Sequence, residues 1–199
     1  MFEETDYEGA TFAGLRAAST EVADVRFTAC AFERSDLSDA VFASCVFDDC
    51  SFTDCTMALF GVMNSRFSAV RFHDCKLTGV NWSDADCPTV SLVEPFQFLD
   101  CLLDHSVFLG VTLDRVGFLN CSLREVDFSE ASLRDAVFSG SDLSGARFSR
   151  SDLRGARLES AHGYGIDGND NLVTGMVVSL PEAVSLISSI GVELVELPL

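Results

Sequence analysis

Three kinds of side chain in this sequence could do chemistry: eight cysteines, three histidines and carboxylate pairs such as Asp48/Asp49. A zinc site needs close C-x₂₋₄-C pairs whose sulfurs converge on one point. Here Cys30, Cys45, Cys50, Cys55 and Cys75 differ by multiples of five, as do Cys101 and Cys121, and only Cys87 stands apart. Such spacing strings thiols along the chain as small hydrophobes. His73, His105 and His162 lie in no recognisable nucleophile motif, and no phosphate-binding glycine loop occurs. Paired carboxylates act as acid and base only in a cleft that shifts their pKa values. The expectation is therefore a protein that is not an enzyme, with no catalytic residue, no cofactor and no metal.

Bulk composition points the same way. With 199 residues, 48% of them hydrophobic, the chain can bury one substantial core without disulfide staples, so the thiols are expected to be reduced. The start, MFEETDYEGA, lacks the basic and apolar regions of a secretory signal, and no run approaches the ~18 apolar residues of a membrane span. A cytoplasmic protein without membrane contact is expected. The formal charge of −18 argues against direct nucleic-acid binding, because phosphates need cationic partners, and favours a basic protein partner.

The cysteine spacing belongs to a wider period of five. Large apolar residues recur at Phe12, Val22, Phe27, Phe32, Leu37, Phe42, Phe47, Phe52, Met57, Val62, Phe67, Phe72, Leu77, Trp82 and Leu92, with Ala17 and Cys87 in the weak slots. After a phase slip the series resumes at Phe98 and runs every fifth residue to Leu158. A small or β-branched residue sits two before most of them, as in SDLSGARF and SDLRGARL. Five matches neither helix nor long strand, so the chain must turn a corner every five residues, with the large and small residues inward. Four sides, 20 residues, then close one turn of a rod about 37 Å long at ~4.8 Å per rung. Residues 20 apart should stack, and nine opposite-charge pairs fall at that offset, among them Asp6/Arg26, Arg66/Asp86, Asp114/Arg134 and Glu130/Arg150. Composition alone gives about four, so the excess supports 20-residue rungs.

Two segments break the repeat. At Val93-Glu94-Pro95-Phe96-Gln97 the phase slips, either as a one-residue bulge at a corner or as a six-residue loop that leaves Leu92 outside the core; these five residues are candidates for partner contact. From His162 a glycine- and Asx-rich stretch ends the coil, giving a repeat unit over residues 1–161 and a tail over 162–199. In that tail Ser179-Leu180-Pro181-Glu182 has the form of a capping box opening a helix that ends at Gly191, followed by a strand-like Val192-Glu193-Leu194-Val195-Glu196-Leu197. The apolar residues Val184, Leu186, Ile187, Ile190, Val192, Leu194, Val195 and Leu197 could cap the open end of the coil or join two copies tail to tail. Outward Leu59, Met63, Leu99, Leu109 and Leu119 are either a contact patch or incidental exposure. The candidate acidic surface is Asp36, Asp39, Asp48, Asp49, Asp54 and Asp74, in a region where residues 1–60 carry −9.

The repeat over roughly residues 7–158 resembles the pentapeptide-repeat proteins, whose fold is an all-β solenoid, a right-handed quadrilateral parallel β-helix, here with a C-terminal α-helix and short strand. Residues 70–82, 98–101 and 179–190 resemble the topoisomerase-protecting branch of that family, its AlbG- and McbG-like members first and its Qnr- and MfpA-like members more distantly. That resemblance implies a homodimeric DNA mimic that binds DNA gyrase, and in some members topoisomerase IV, and relieves topoisomerase poisons. It also implies that residues 93–97 match the family's protruding loop and Ser179 to Leu197 its dimer module. Two long loop insertions of Qnr proteins are missing, which favours a narrower role against a peptide-like gyrase toxin. A structural or adaptor protein with another basic partner is the alternative.

Overall fold

What lets a chain change direction every five residues is a left-handed backbone at the residue two past nearly every large inward one; Asp84, two past Trp82, lies instead in a 3-10 turn. Asp24, Asp39, Asp49, Asp54, Asp74 and Asp100 hold φ between 50 and 57°, and Asn64 and Asn120 do the same at 52 and 53°. Asp, Asn and Gly are the residues that tolerate this region best. Acids fill many of these corners, but Ala29, Arg34, Leu59, Ala69 and Arg115 hold the same backbone at φ 46–63°, so the corner tolerates a carboxylate without requiring one.

With corners so placed, a computed structural model of the chain, describing residues 2–87 and 96–192, is a right-handed four-sided β-solenoid of about eight turns with all strand pairs parallel. The four sides of the first turn pair with those of the second as Asp6↔Arg26, Thr11↔Ala31, Arg16↔Asp36 and Glu21↔Val41. The longest sheet, on the second side, runs through strands Thr11–Ala13, Ala31–Glu33, Ser51–Thr53, Val70–His73, Phe96–Leu99 and Gly117–Leu119.

Stacking fills the interior. On that side Phe12, Phe32, Phe52, Phe72, Phe98, Phe118 and Phe138 form one column, each ring within 4.6–5.2 Å of the next. The small inward slot does more than save space. Ser65 Oγ donates to the carbonyl of Phe42 (2.8 Å), Ser141 Oγ to that of Phe118 (2.9 Å) and Ser151 Oγ to that of Phe128 (2.8 Å), always 23 residues back. The thiols of Cys50, Cys55, Cys75 and Cys121 donate to Phe27, Phe32, Phe52 and Phe98 in the same way. Buried backbone groups need partners, and serine and cysteine in this slot supply them.

The phase slip is a change of register by six. Before it the ladder offset is 20; across it Val70 pairs with Phe96, Phe72 with Phe98, Lys76 with Leu102 and Asn81 with Val107, an offset of 26. The 20-residue register still holds at Asp86, whose N–H bonds the Ser65 carbonyl (2.9 Å). The rung above Phe72 is Phe98, so Leu92, itself outside the described residues, is not the core residue of that rung. Of the two alternatives that the sequence left open, the offset of 26 fits the six-residue insertion and not the one-residue bulge. Phe96 takes the small slot above Val70, fully buried against Trp82 (4.7 Å) and Phe67 (5.3 Å).

Two features of the C-terminal end differ from the sequence reading. The coil does not stop at residue 161: Leu172 bridges Asp152, Arg157–Leu158 pairs with Val177–Val178, and Asn171 Nδ2 donates to the Phe148 carbonyl (2.8 Å) in the 23-back pattern. The period was hidden because Ile166, Asn171 and Met176 fill the small slots. The capping box does not form either. The helix spans Ala183–Ser189, and Glu182, at its N-cap, makes no side-chain cap bond. Ser179 Oγ instead accepts from Ser160 N–H and Glu182 Oε1 from Gly163 N–H, each at 3.3 Å, tying the helix to the last turns. Gly191, at φ 82°, ends it as expected. The strand expected after Val192 lies outside the described residues. No helix among the described residues is long and apolar enough to cross a membrane.

Candidate functional site: an anionic outer surface and an apolar end

Three side chains of every five point outward, so the candidate site is a surface of ladders. All six predicted acidic residues are exposed. They do not form one patch. Asp48 and Asp49 sit on the corner after the first side, Asp54 and Asp74 stack on the next corner, and Asp36 and Asp39 belong to the third side and its corner. Sequence reasoning missed Asp100, which follows Asp74 on the same column only because of the 26-residue offset.

Local bonds set the electrostatics. The Ser38 hydroxyl and N–H, donating to Asp36 at 2.7 and 3.1 Å, hold its carboxyl below the usual range. Arg71 reaches Asp49 (2.8 Å). Burial alone would push Asp114 up, but Arg134 (2.7 Å) and the Ser132 hydroxyl outweigh it and hold that carboxyl low; Arg154 (2.6 Å) lowers Asp152 likewise. Of the nine expected 20-residue charge pairs, Asp6/Arg26, Arg66/Asp86, Asp114/Arg134, Asp127/Arg147 and Glu130/Arg150 are ion pairs. Arg124 turns to Asp142 (2.9 Å) and Arg34 to Glu33 (3.0 Å) instead. Arginine thus neutralises the acids of the later turns, while residues 1–60 keep −9 against only three arginines.

Of the predicted contact loop, Phe96 and Gln97 belong to strand Phe96–Leu99, Phe96 inward and Gln97 exposed. Val93, Glu94 and Pro95 lie outside the described residues. At the C-terminal end Leu186 packs on the last core residues and Ile187 is half-buried, whereas Val184, Ile190 and Val192 are exposed. Leu194, Val195 and Leu197 lie outside the described residues. Leu172, Val177 and Leu180, the last 76% exposed, enlarge this apolar end beyond what the sequence suggested. Leu59, Met63, Leu99 and Leu109 are exposed too: Met63 and Leu109 lie on the fourth side two rungs apart, Leu59 on the corner that leads into that side, and Leu99 on the second side.

Seven of the eight cysteines are buried and Cys87 is partly buried. Burial pushes Cys50 up to about 11, and the neighbouring Cys101 thiol, with burial, pushes Cys75 up to about 12. The surface hollows are shallow, such as one of about 210 Å³ edged by Arg71, His73, Gln97, Leu99 and Leu119. The arrangement offers a stiff, charged rod to a partner.

Comparison with known proteins agrees with this geometry. The pentapeptide repeat region profile matches residues 25–108, and the profile of pentapeptide repeats, eight copies, matches residues 121–159, together more than half of the chain. No curated protein matches it. Among solved structures, two of trypsin-treated QnrB1, a plasmid-mediated fluoroquinolone resistance protein, superpose with TM-scores of 0.63 at 15% and 16% identity, covering 96% of this chain and 92% and 97% of theirs. HetL, a pentapeptide repeat protein involved in heterocyst differentiation regulation in Nostoc sp. strain PCC 7120, superposes with a TM-score of 0.54 at 14% identity, covering 89% of this chain and 90% of its own.

Proposed function

We propose that this chain, which belongs to the pentapeptide-repeat family, mimics duplex DNA, binds DNA gyrase and protects it from a topoisomerase poison. The observation that carries this reading is the rod itself: rigid and anionic, with its unneutralised charge gathered in the first turns. Residues 1–160 carry net −13, and over about 37 Å of coil that is roughly 0.35 charge per Å, against about 0.6 for duplex DNA. A groove built to attract phosphate would attract this surface through the same field. The likeness in fold to a fluoroquinolone resistance protein supports the choice of a type II topoisomerase, and the AlbG- and McbG-like segments favour a peptide-like gyrase toxin as the poison.

Two copies meet, in this reading, through the apolar end bearing Leu180, Val184, Ile190 and Val192, giving a rod of ~75 Å. Val93, Glu94 and Pro95 touch the enzyme. A role as an adaptor for another basic protein is the second reading, favoured by the likeness to HetL. A supercoiling assay decides between them: purified gyrase with a poison is titrated with this protein. Inhibition or rescue at micromolar protein is expected, and the absence of both sinks the gyrase reading while leaving the adaptor.

A further inference from the structure

The seam of the six-residue insertion gathers a set of donors that no other part of the described surface matches. Asp74 holds the corner after strand Val70–His73 and Asp100 the corner after strand Phe96–Leu99, which stacks on it across the 26-residue offset, and both corners are left-handed, φ 53 and 54°. His73 stands between them, Nε2 at 3.3 Å from Asp74 Oδ2 and 3.7 Å from Asp100 Oδ2. One donor atom from each of the three residues lies within 4.8 Å of the others. We propose that His73, Asp74 and Asp100 bind a divalent transition metal of the zinc class, which clamps the coil across the seam.

The spacing fits the chemistry. Metal–donor bonds of about 2.0–2.2 Å put two donors of a tetrahedral ion roughly 3.3–3.6 Å apart, and both histidine–carboxylate distances are close to that. One imidazole with two carboxylates suits zinc-like ions, whereas magnesium prefers an all-oxygen octahedron. Asn120 Nδ2 donates to Asp100 Oδ1 (3.1 Å), so the other oxygen, Oδ2, is left for the metal. Partners of this kind orient metal ligands. The remaining histidines are internal controls: His105 meets Glu125 (3.3 Å) and His162 meets Asp142 (3.8 Å), one carboxylate each. The donors are exposed and held by rigid rungs, so water completes the shell.

Titration calorimetry of the full chain with zinc chloride tests this. One zinc per chain is expected, unaffected by millimolar magnesium, with a melting temperature that rises on zinc addition. His73→Asn, and Asp74→Asn, which keeps a residue tolerant of the left-handed corner, should weaken zinc at least ten-fold while their metal-free melts stay near wild type. Asp39→Asn, on another corner, should bind as wild type. All eight cysteines remain in these variants, so uptake by thiols would survive in them. Zinc uptake without a saturable 1:1 step, equal uptake by His73→Asn, or equal weakening by Asp39→Asn would overturn the site in favour of thiol binding or diffuse attraction to acidic surface.

Discussion

Ser65 shows what a single inward slot must accomplish: fully buried, its hydroxyl donates to the Phe42 carbonyl and accepts the Cys45 N–H (2.9 Å). Ser65→Ala strands both backbone groups and should cost about 1–3 kcal/mol in a urea melt, while Ser65→Cys, which keeps a donor, should cost less. Equal losses would mean the bond is not what the slot provides. The thiols add a pH dependence. An unfolded cysteine ionises near ~8.5, whereas Cys50, Cys75 and Cys101 are held up at about 11, 12 and 12. Their contribution is complete below the unfolded value and lost as pH rises toward the folded ones, so the melting temperature should fall between pH 8 and 10. A flat profile would contradict this. The sequence made the inward placement of seven cysteines legible through their spacing; the 23-residue donation was not, because it depends on where each corner carbonyl ends up.

At the scale of elements the seam and the terminal helix are the informative parts. Both the break near residue 93 and the helix ending at Gly191 were visible as interruptions of the period. Their interiors were not: a phase shift is the same for one extra residue as for six, since the coil repeats every five. The Ser179–Glu182 pattern was misleading because both side chains find better partners on the neighbouring turn than on the helix itself. Phe96→Ala removes a buried ring packed on Trp82 and should cost about 3–5 kcal/mol. Replacing Val93-Glu94-Pro95 with Gly-Ser-Gly should leave the thermal melt nearly unchanged but reduce gyrase protection. A large drop in the melt for the second variant would assign those residues to the scaffold.

For the whole molecule, the period of five and the 20-residue charge ladders specified the solenoid, its four sides and its approximate length. Charge placement was only partly legible, because arginine pairing in the later turns is set by side-chain reach, as when Arg124 chooses Asp142 over Asp104. The apolar end was underestimated: the sequence pointed to the helix but not to Leu172 and Val177, exposed on the last rungs of the coil. If that end joins two copies, Leu180→Glu with Ile190→Glu should give a monomer in sedimentation equilibrium where wild type gives a dimer; unchanged mass would place the interface elsewhere or nowhere. DNA mimicry is tested most directly by competition. A labelled duplex fragment bound to gyrase is titrated with this protein, and displacement should be complete at saturation and weaken steeply as salt rises, since screening acts on exposed charge. A ternary complex in which gyrase holds both, or displacement indifferent to salt, would contradict the account.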